Sequence, residues 1–224
     1  MTRNLKMLGL AICVVMALSA VEAPVSQAAL FHKPAGEEVR LTATPDGTGT
    51  TAHQQLDVAG ASITCPTVSG EALISVAENT PETVTAQNII YPAAGSMPCK
   101  FIGQDATVSM NGCDYKYTAA APGTPGVNAA VSVACPAGNV IHFVAPNPLC
   151  TVTVPAQSLS GVTYHNNAAK SEITVEVHVT GIAYTAIGPG CPEIGTKTNG
   201  NYTTGNVIAT GESTVGNMRS VFVE

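Results

Sequence analysis

The sequence predicts an all-β, mainly antiparallel fold of about ten to twelve strands, stabilised by disulfides, with a sandwich preferred over a closed barrel. Three observations predict it. Between Glu172 and Tyr184, apolar and polar residues alternate over a strand's length. Short apolar runs recur along the chain between Gly, Pro and Asn turn signals. Six cysteines remain once the N-terminal leader is set aside. No stretch carries apolar residues at helical spacing over more than two turns.

The Glu172–Tyr184 stretch is the clearest strand. Ile173, Val175, Val177 and Val179 alternate with Glu172, Thr174, Glu176, His178 and Thr180. Period two places the four aliphatic side chains on one face. The phase slips at Gly181, after which Ile182 and Tyr184 continue on even numbers. One extra residue at a glycine is what a β-bulge supplies, and it keeps Ile182 and Tyr184 on the core face.

The other elements follow in chain order. Val39, Leu41 and Ala43 alternate with Arg40, Thr42 and Thr44, and Pro45-Asp46-Gly47 ends that strand as a turn. Residues 54–58 and 62–65 read as short strands around Ala59-Gly60, and 72–77 and 83–91 as two more, split by Asn79-Thr80-Pro81. Asn111-Gly112 is the preferred type I′ dipeptide and predicts a hairpin over 105–118. A two-residue loop there pairs Met110 with Cys113, Val108 with Tyr115 and Ala106 with Tyr117, all on one face. Strands are further predicted at 129–135, 140–144, 150–154 and 161–164. Ile187–Cys191 reads as a Gly/Pro turn, Tyr202, Val207 and Ala209 as parts of an edge hairpin, and 220–223 as the last strand.

Met1 to Ala28 has the layout of a secretory signal peptide: Arg3 and Lys6, an apolar run from Met7 to Ala20, and Ser26-Gln27-Ala28 before the cut. The apolar run is about 14 residues, short of the ~20 that span a bilayer. Loss of the leader removes Arg3, Lys6 and Glu22, leaving seven basic and fourteen acidic side chains and a formal charge of −7. That balance argues against nucleic acid or an anionic membrane surface as a partner. No membrane span is expected after cleavage, and the sequence calls for no cofactor.

Cys65, Cys99, Cys113, Cys135, Cys150 and Cys191 form an even set in an exported chain, which predicts three disulfides. Ala119–Gly126, rich in Ala, Pro and Gly, marks a candidate internal boundary, with three cysteines on each side. Three is odd, so full pairing requires a bridge across that segment and favours one unit over 29–224. Cys135 and Cys150 are close in sequence, and Pro146 and Pro148 interrupt a strict meander between them, so a Cys135–Cys150 bridge is expected. The other four cysteines allow three pairings. Cys65–Cys99 with Cys113–Cys191 is the one preferred here.

Chemistry-bearing motifs are sparse. Glu176 and His178 are same-face neighbours that need a further ligand to hold a metal, and a solvated polar face explains them as well. Gly211-Glu212-Ser213-Thr214-Val215 lacks the last glycine of a nucleophile elbow. His53 and Asp57 could join a triad only through tertiary placement. Tyr115 and Tyr117 fall on the apolar face, whereas Tyr164, Tyr184 and Tyr202 are candidates for a recognition surface. Asn201-Tyr202-Thr203 is a glycosylation sequon. The chain has no Trp, the usual platform for sugars.

Cys135-Pro136-Ala137-Gly138-Asn139, then Cys150-Thr151-Val152-Thr153-Val154-Pro155-Ala156-Gln157 and Gly161-Val162-Thr163-Tyr164, together with Asn111-Gly112-Cys113-Asp114-Tyr115, resemble exported, cysteine-containing β proteins of unknown function from high-GC soil bacteria. The resemblance spans roughly residues 60–210 and implies no activity or ligand. The expectation is an exported, non-enzymatic binding or structural protein. The alternatives are an exported hydrolase with a site assembled from distant residues, or a β-barrel carrier of a small apolar ligand. The carrier requires an apolar cavity; the hydrolase requires His, carboxylate and Ser within hydrogen-bond reach.

Overall fold

The computed structural model describes residues 29–45, 54–92, 97–120, 129–146, 149–204 and 206–224. The leader, Asp46-Gly47, His53, Pro148 and most of the 119–126 boundary lie outside the described residues. Eighteen strands are formed among them. They are β1 (Phe31–His32), β2 (Val39–Pro45), β3 (Gln54–Val58), β4 (Ala61–Cys65), β5 (Ser69–Ile74), β6 (Thr83–Ile90), β7 (Cys99–Phe101), β8 (Gln104–Ser109) and β9 (Asp114–Thr118). After these come β10 (Ala129–Ala134), β11 (Ile141–Pro146), β12 (Leu149–Val154), β13 (Gln157–Asn166), β14 (Glu172–Ile187), β15 (Gly195–Thr203), β16 (Val207–Ser213), β17 (Met218–Arg219) and β18 (Phe222–Val223). No described helix is long and apolar enough to cross a membrane.

The fold is all-β and antiparallel as the alternation predicts, but its strands close into a barrel instead of stacking as two open sheets. The cause lies in β14. Its 16 residues run about 50 Å at ~3.3 Å per residue, longer than any one partner covers. The N-terminal half pairs with β13 on one edge and β16 on the other. From there β13, β10, β9, β6, β5, β2 and β16 follow in hydrogen-bonded order and return to β14, closing an eight-stranded barrel. The C-terminal half pairs with β15 and β12, and the order β15, β3, β4, β7, β8, β11, β12 returns to it as a second ring. Closure leaves few open edges.

The hand-over falls between Val177, the last β14 residue paired with β13, and His178, the first paired with β15, and a bulge follows at Gly181. The Gly181 φ is +78°, and the β14–β15 register shifts between Thr180 and Ile182, the bulge that the phase slip predicts. Ile173, Val177, Val179, Ile182 and Tyr184 are all buried. Gly161 of β13 lies so close to β14 that a Cβ there would sit 2.0 Å from the His178 carbonyl oxygen. Past that point β13 and β14 cease to pair, and each continues into its own part of the fold.

The Asn111-Gly112 turn forms as predicted, with φ of +49° and +78° and Cys113 N donating to Met110 O at 2.8 Å. The hairpin does not. β8 pairs with β7 and β11, and β9 with β6 and β10. The strands part because the turn docks on 136–139: Asn111 Nδ2 donates to Val140 O, Asn139 Nδ2 donates to Asn111 O, and Cys113 bonds to Cys135. Val108 then faces Phe143 of β11, while Tyr115 faces Val133 of β10. Likewise β15 and β16 are not an edge hairpin; each is paired on both sides, to β14 and β3 and to β14, β2 and β17.

The disulfides are Cys65–Cys99, Cys113–Cys135 and Cys150–Cys191. The first is the expected pair. The expected Cys135–Cys150 and Cys113–Cys191 bridges do not form, because β10 and β12 belong to different rings. Cys135 follows β10 beside the docked Asn111-Gly112 turn. Cys150 opens β12, where the 188–190 turn folds over Leu149: Gly190 N donates to Leu149 O at 3.0 Å. The Cys113–Cys135 bridge joins residues on either side of 119–126.

One end of the barrel is covered by the β1–β18 ribbon. Asn166 holds Val223 through both its amide atoms, and Val221 and Val223 are buried. From β1, Phe31 packs edge-on against Tyr164 with ring centroids 5.5 Å apart.

Candidate functional site: a tyrosine relay between two apolar cavities

Among the described residues, two neighbouring apolar cavities share a wall inside the fold. The first, of about 100 Å³, is bordered by β2, β5, β6, β9, β14 and β16, with Phe31 at one wall. The second, of about 70 Å³, is bordered by β3, β4, β10, β11 and the middle of β14. Both linings are dominated by aliphatic and aromatic side chains. Gln54, Tyr91, Tyr115, Tyr117, Val177 and Tyr202 border both cavities and form the wall between them.

That wall brings together residues far apart in the chain. β3 places Gln54 in phase with Leu56 and Val58 on the core face, and Gln54 is only 2% exposed. β15 places Tyr202 opposite Leu56. β9 contributes Tyr115 and Tyr117, and Tyr91 follows β6. Tyr202 donates to Gln54 Oε1 at 2.6 Å. The Tyr91 and Tyr202 hydroxyls are 3.1 Å apart, and those of Tyr91 and Tyr115 are 3.4 Å apart. Tyr202 gives its hydrogen to Gln54 Oε1, and Tyr91 gives its own to the Tyr115 hydroxyl. The Gln54 Nε2 is buried without a hydrogen-bond partner among the described residues.

Burial sets the ionisation of the cluster. Desolvation, and then the proximity of the other tyrosines, holds Tyr91, Tyr115 and Tyr202 well above the ordinary phenol range. Burial pushes Tyr117 up to about 12. The wall is therefore neutral at physiological pH, and among the described residues no Lys, Arg or His borders either cavity.

The surface tyrosines expected from sequence are placed differently. Tyr164 and Tyr184 are each 2% exposed. Tyr164 donates to Thr118 O, and Tyr184 donates to Asn199 Oδ1 while accepting from Ala59 N. Their hydroxyls serve the fold. Of the three, Tyr202 joins the relay.

The remaining candidates do not assemble. Glu176 lies near His165 of β13, at 3.7 Å on the outer face, and not beside a metal-binding His178. No group of three His, Cys, Asp or Glu with metal-binding geometry occurs among the described residues. Ser213 Oγ accepts from Asn217 N, closing a turn. Asp57 accepts from Gln55 and Ser62, at the edge of a polar surface cleft that also includes Glu193, Asn199 and Asn201.

Sequence reading missed Gln54. A signal was present: a glutamine in phase with two aliphatic residues on a half-buried strand is a polar group facing the core. Comparison of the chain with protein-family models, curated proteins and solved structures gave no match.

Proposed function

We propose that the protein is an exported, non-enzymatic binding protein that holds a small, largely apolar molecule inside its barrel. The observation that carries this reading is the cavity of about 100 Å³ between the barrel walls. Eight strands leave an interior that side chains can fill or that one small ligand can occupy. Interiors are otherwise packed to crystal density, and an unfilled apolar space forfeits contacts that a ligand restores. An apolar cavity of about 150 Å³ accepts benzene in another protein, so the scale here suits a ring of five or six atoms. Export is supported by the Met1–Ala28 leader pattern and by the three disulfides.

Thermal melting in the presence of benzene tests the reading. Binding to the folded state raises the melting temperature with ligand concentration. Ala209→Leu, which adds three carbons beside the first cavity, should reduce that rise. A melting temperature insensitive to benzene, or one that rises equally in the variant, would remove the carrier reading and leave a purely structural role.

A further inference from the structure

We propose that the molecule held in the barrel carries an uncharged hydrogen-bond acceptor, a carbonyl or ether oxygen, which takes the free N–H of Gln54. The inference rests on the binding reading above and narrows it to a ligand class.

Gln54 is nine-tenths buried and more, borders both cavities, and has its oxygen engaged and its nitrogen unengaged among the described residues. Tyr202 donates to Oε1, so Nε2 carries two hydrogens with no acceptor in the wall. Tyr202 and Tyr91 spend their hydrogens on Gln54 Oε1 and on the Tyr115 hydroxyl. Gln54 Nε2 is the buried nitrogen of the wall without an acceptor among the described residues, and it stands beside the Tyr115 and Tyr117 hydroxyls on the same linings. A buried donor without an acceptor is costly, and an incoming oxygen removes that cost, whereas a hydrocarbon leaves it in place.

Charge narrows the class further. With no basic side chain on either lining and Glu71 on the first, a carboxylate or phosphate would be buried uncompensated. Cations find no partner in the relay, since the tyrosines stay neutral, and the Glu71 carboxylate is already engaged by Arg40 and Asn88. A neutral ketone, ester or ether of five to seven heavy atoms meets the donor without those penalties.

The test compares cyclopentanone with methylenecyclopentane, which differ in one oxygen against one CH₂, on the whole secreted chain and on its Gln54→Met variant. Affinities come from ligand-observed NMR titration. The ratio of the two affinities should fall by about tenfold on going from wild type to Gln54→Met. Comparing ratios cancels the difference in hydration between the probes. An unchanged ratio with both probes binding overturns the Gln54 assignment and leaves the carrier reading standing. Failure of both probes to bind wild type overturns both. Should Gln54→Met fail to fold, the wild-type Gln54 side-chain amide resonances decide. They should shift with the ketone and stay with the alkene; equal shifts overturn the proposal.

Discussion

Gln157 acts as a strand partner for Ala183. Its Nε2 donates to Ala183 O at 3.0 Å, and its Oε1 accepts from Ala183 N at 2.8 Å. The pair sits beyond Gly161, where β13 and β14 no longer exchange backbone hydrogen bonds. One side chain there satisfies the backbone groups that the departing strand leaves, and so keeps the two barrel segments together along β14.

Gln157→Leu removes both bonds and leaves the Ala183 N–H and C=O without that partner. The expected cost is about 1–3 kcal/mol, read by equilibrium urea unfolding. Gln157→Glu keeps the acceptor and should cost less. Equal, negligible changes in both variants would show that Ala183 finds water instead.

Gly112→Val should destabilise by about 1 kcal/mol or more. A β-branched residue resists the left-handed backbone that Gly112 adopts at φ +78°. Pro136 Cγ, 3.5 Å from the position of an added Cβ, leaves room for one carbon, so the cost comes from the backbone. The Cys113–Cys135 bridge should still form, as peptide mapping without reduction would establish. A variant melting like wild type would count against the turn geometry.

The Asn111-Gly112 turn also marks how far the sequence could be read. Turn chemistry is local, and so were the β14 alternation and its bulge; all three were legible. Which strands pair was not. Val108 and Tyr115 suit a hairpin partner and a distant partner equally well, because alternation specifies a face and not a neighbour. The same gap misled the disulfides: Cys135 and Cys150 are close in sequence yet sit on strands of different rings. Cys65–Cys99 was one preference among three pairings, and the sequence reading had no strand at 99–101; in the fold β4, which ends at Cys65, pairs with β7, which starts at Cys99. The relay was beyond reach, since Gln54 and Tyr202 meet only after β3 and β15 pair.

Alkaline titration should reveal the relay. In the unfolded chain a tyrosine ionises near ~10, but burial raises Tyr91, Tyr115 and Tyr202 and pushes Tyr117 up to about 12 in the fold. A group whose folded value is raised contributes its full stability below the unfolded value. That contribution declines above pH ~10 and is lost as pH rises through the folded values. Phenolate absorbance should therefore lag behind that of free tyrosine and then rise together with loss of near-ultraviolet dichroism. Smooth ionisation of all six tyrosines near pH ~10 in a still-folded protein would contradict the buried cluster.

The central claim is that the space beside the tyrosine wall admits a small apolar molecule. Intermolecular nuclear Overhauser effects from benzene protons to the protein test it most directly. The account predicts effects at the rings of Tyr91, Tyr115, Tyr117 and Tyr202 and at the Val177 methyls, the side chains that border both cavities. Effects confined to exposed side chains such as Ile187, Ile194 and Val215, with none at the wall, would contradict it.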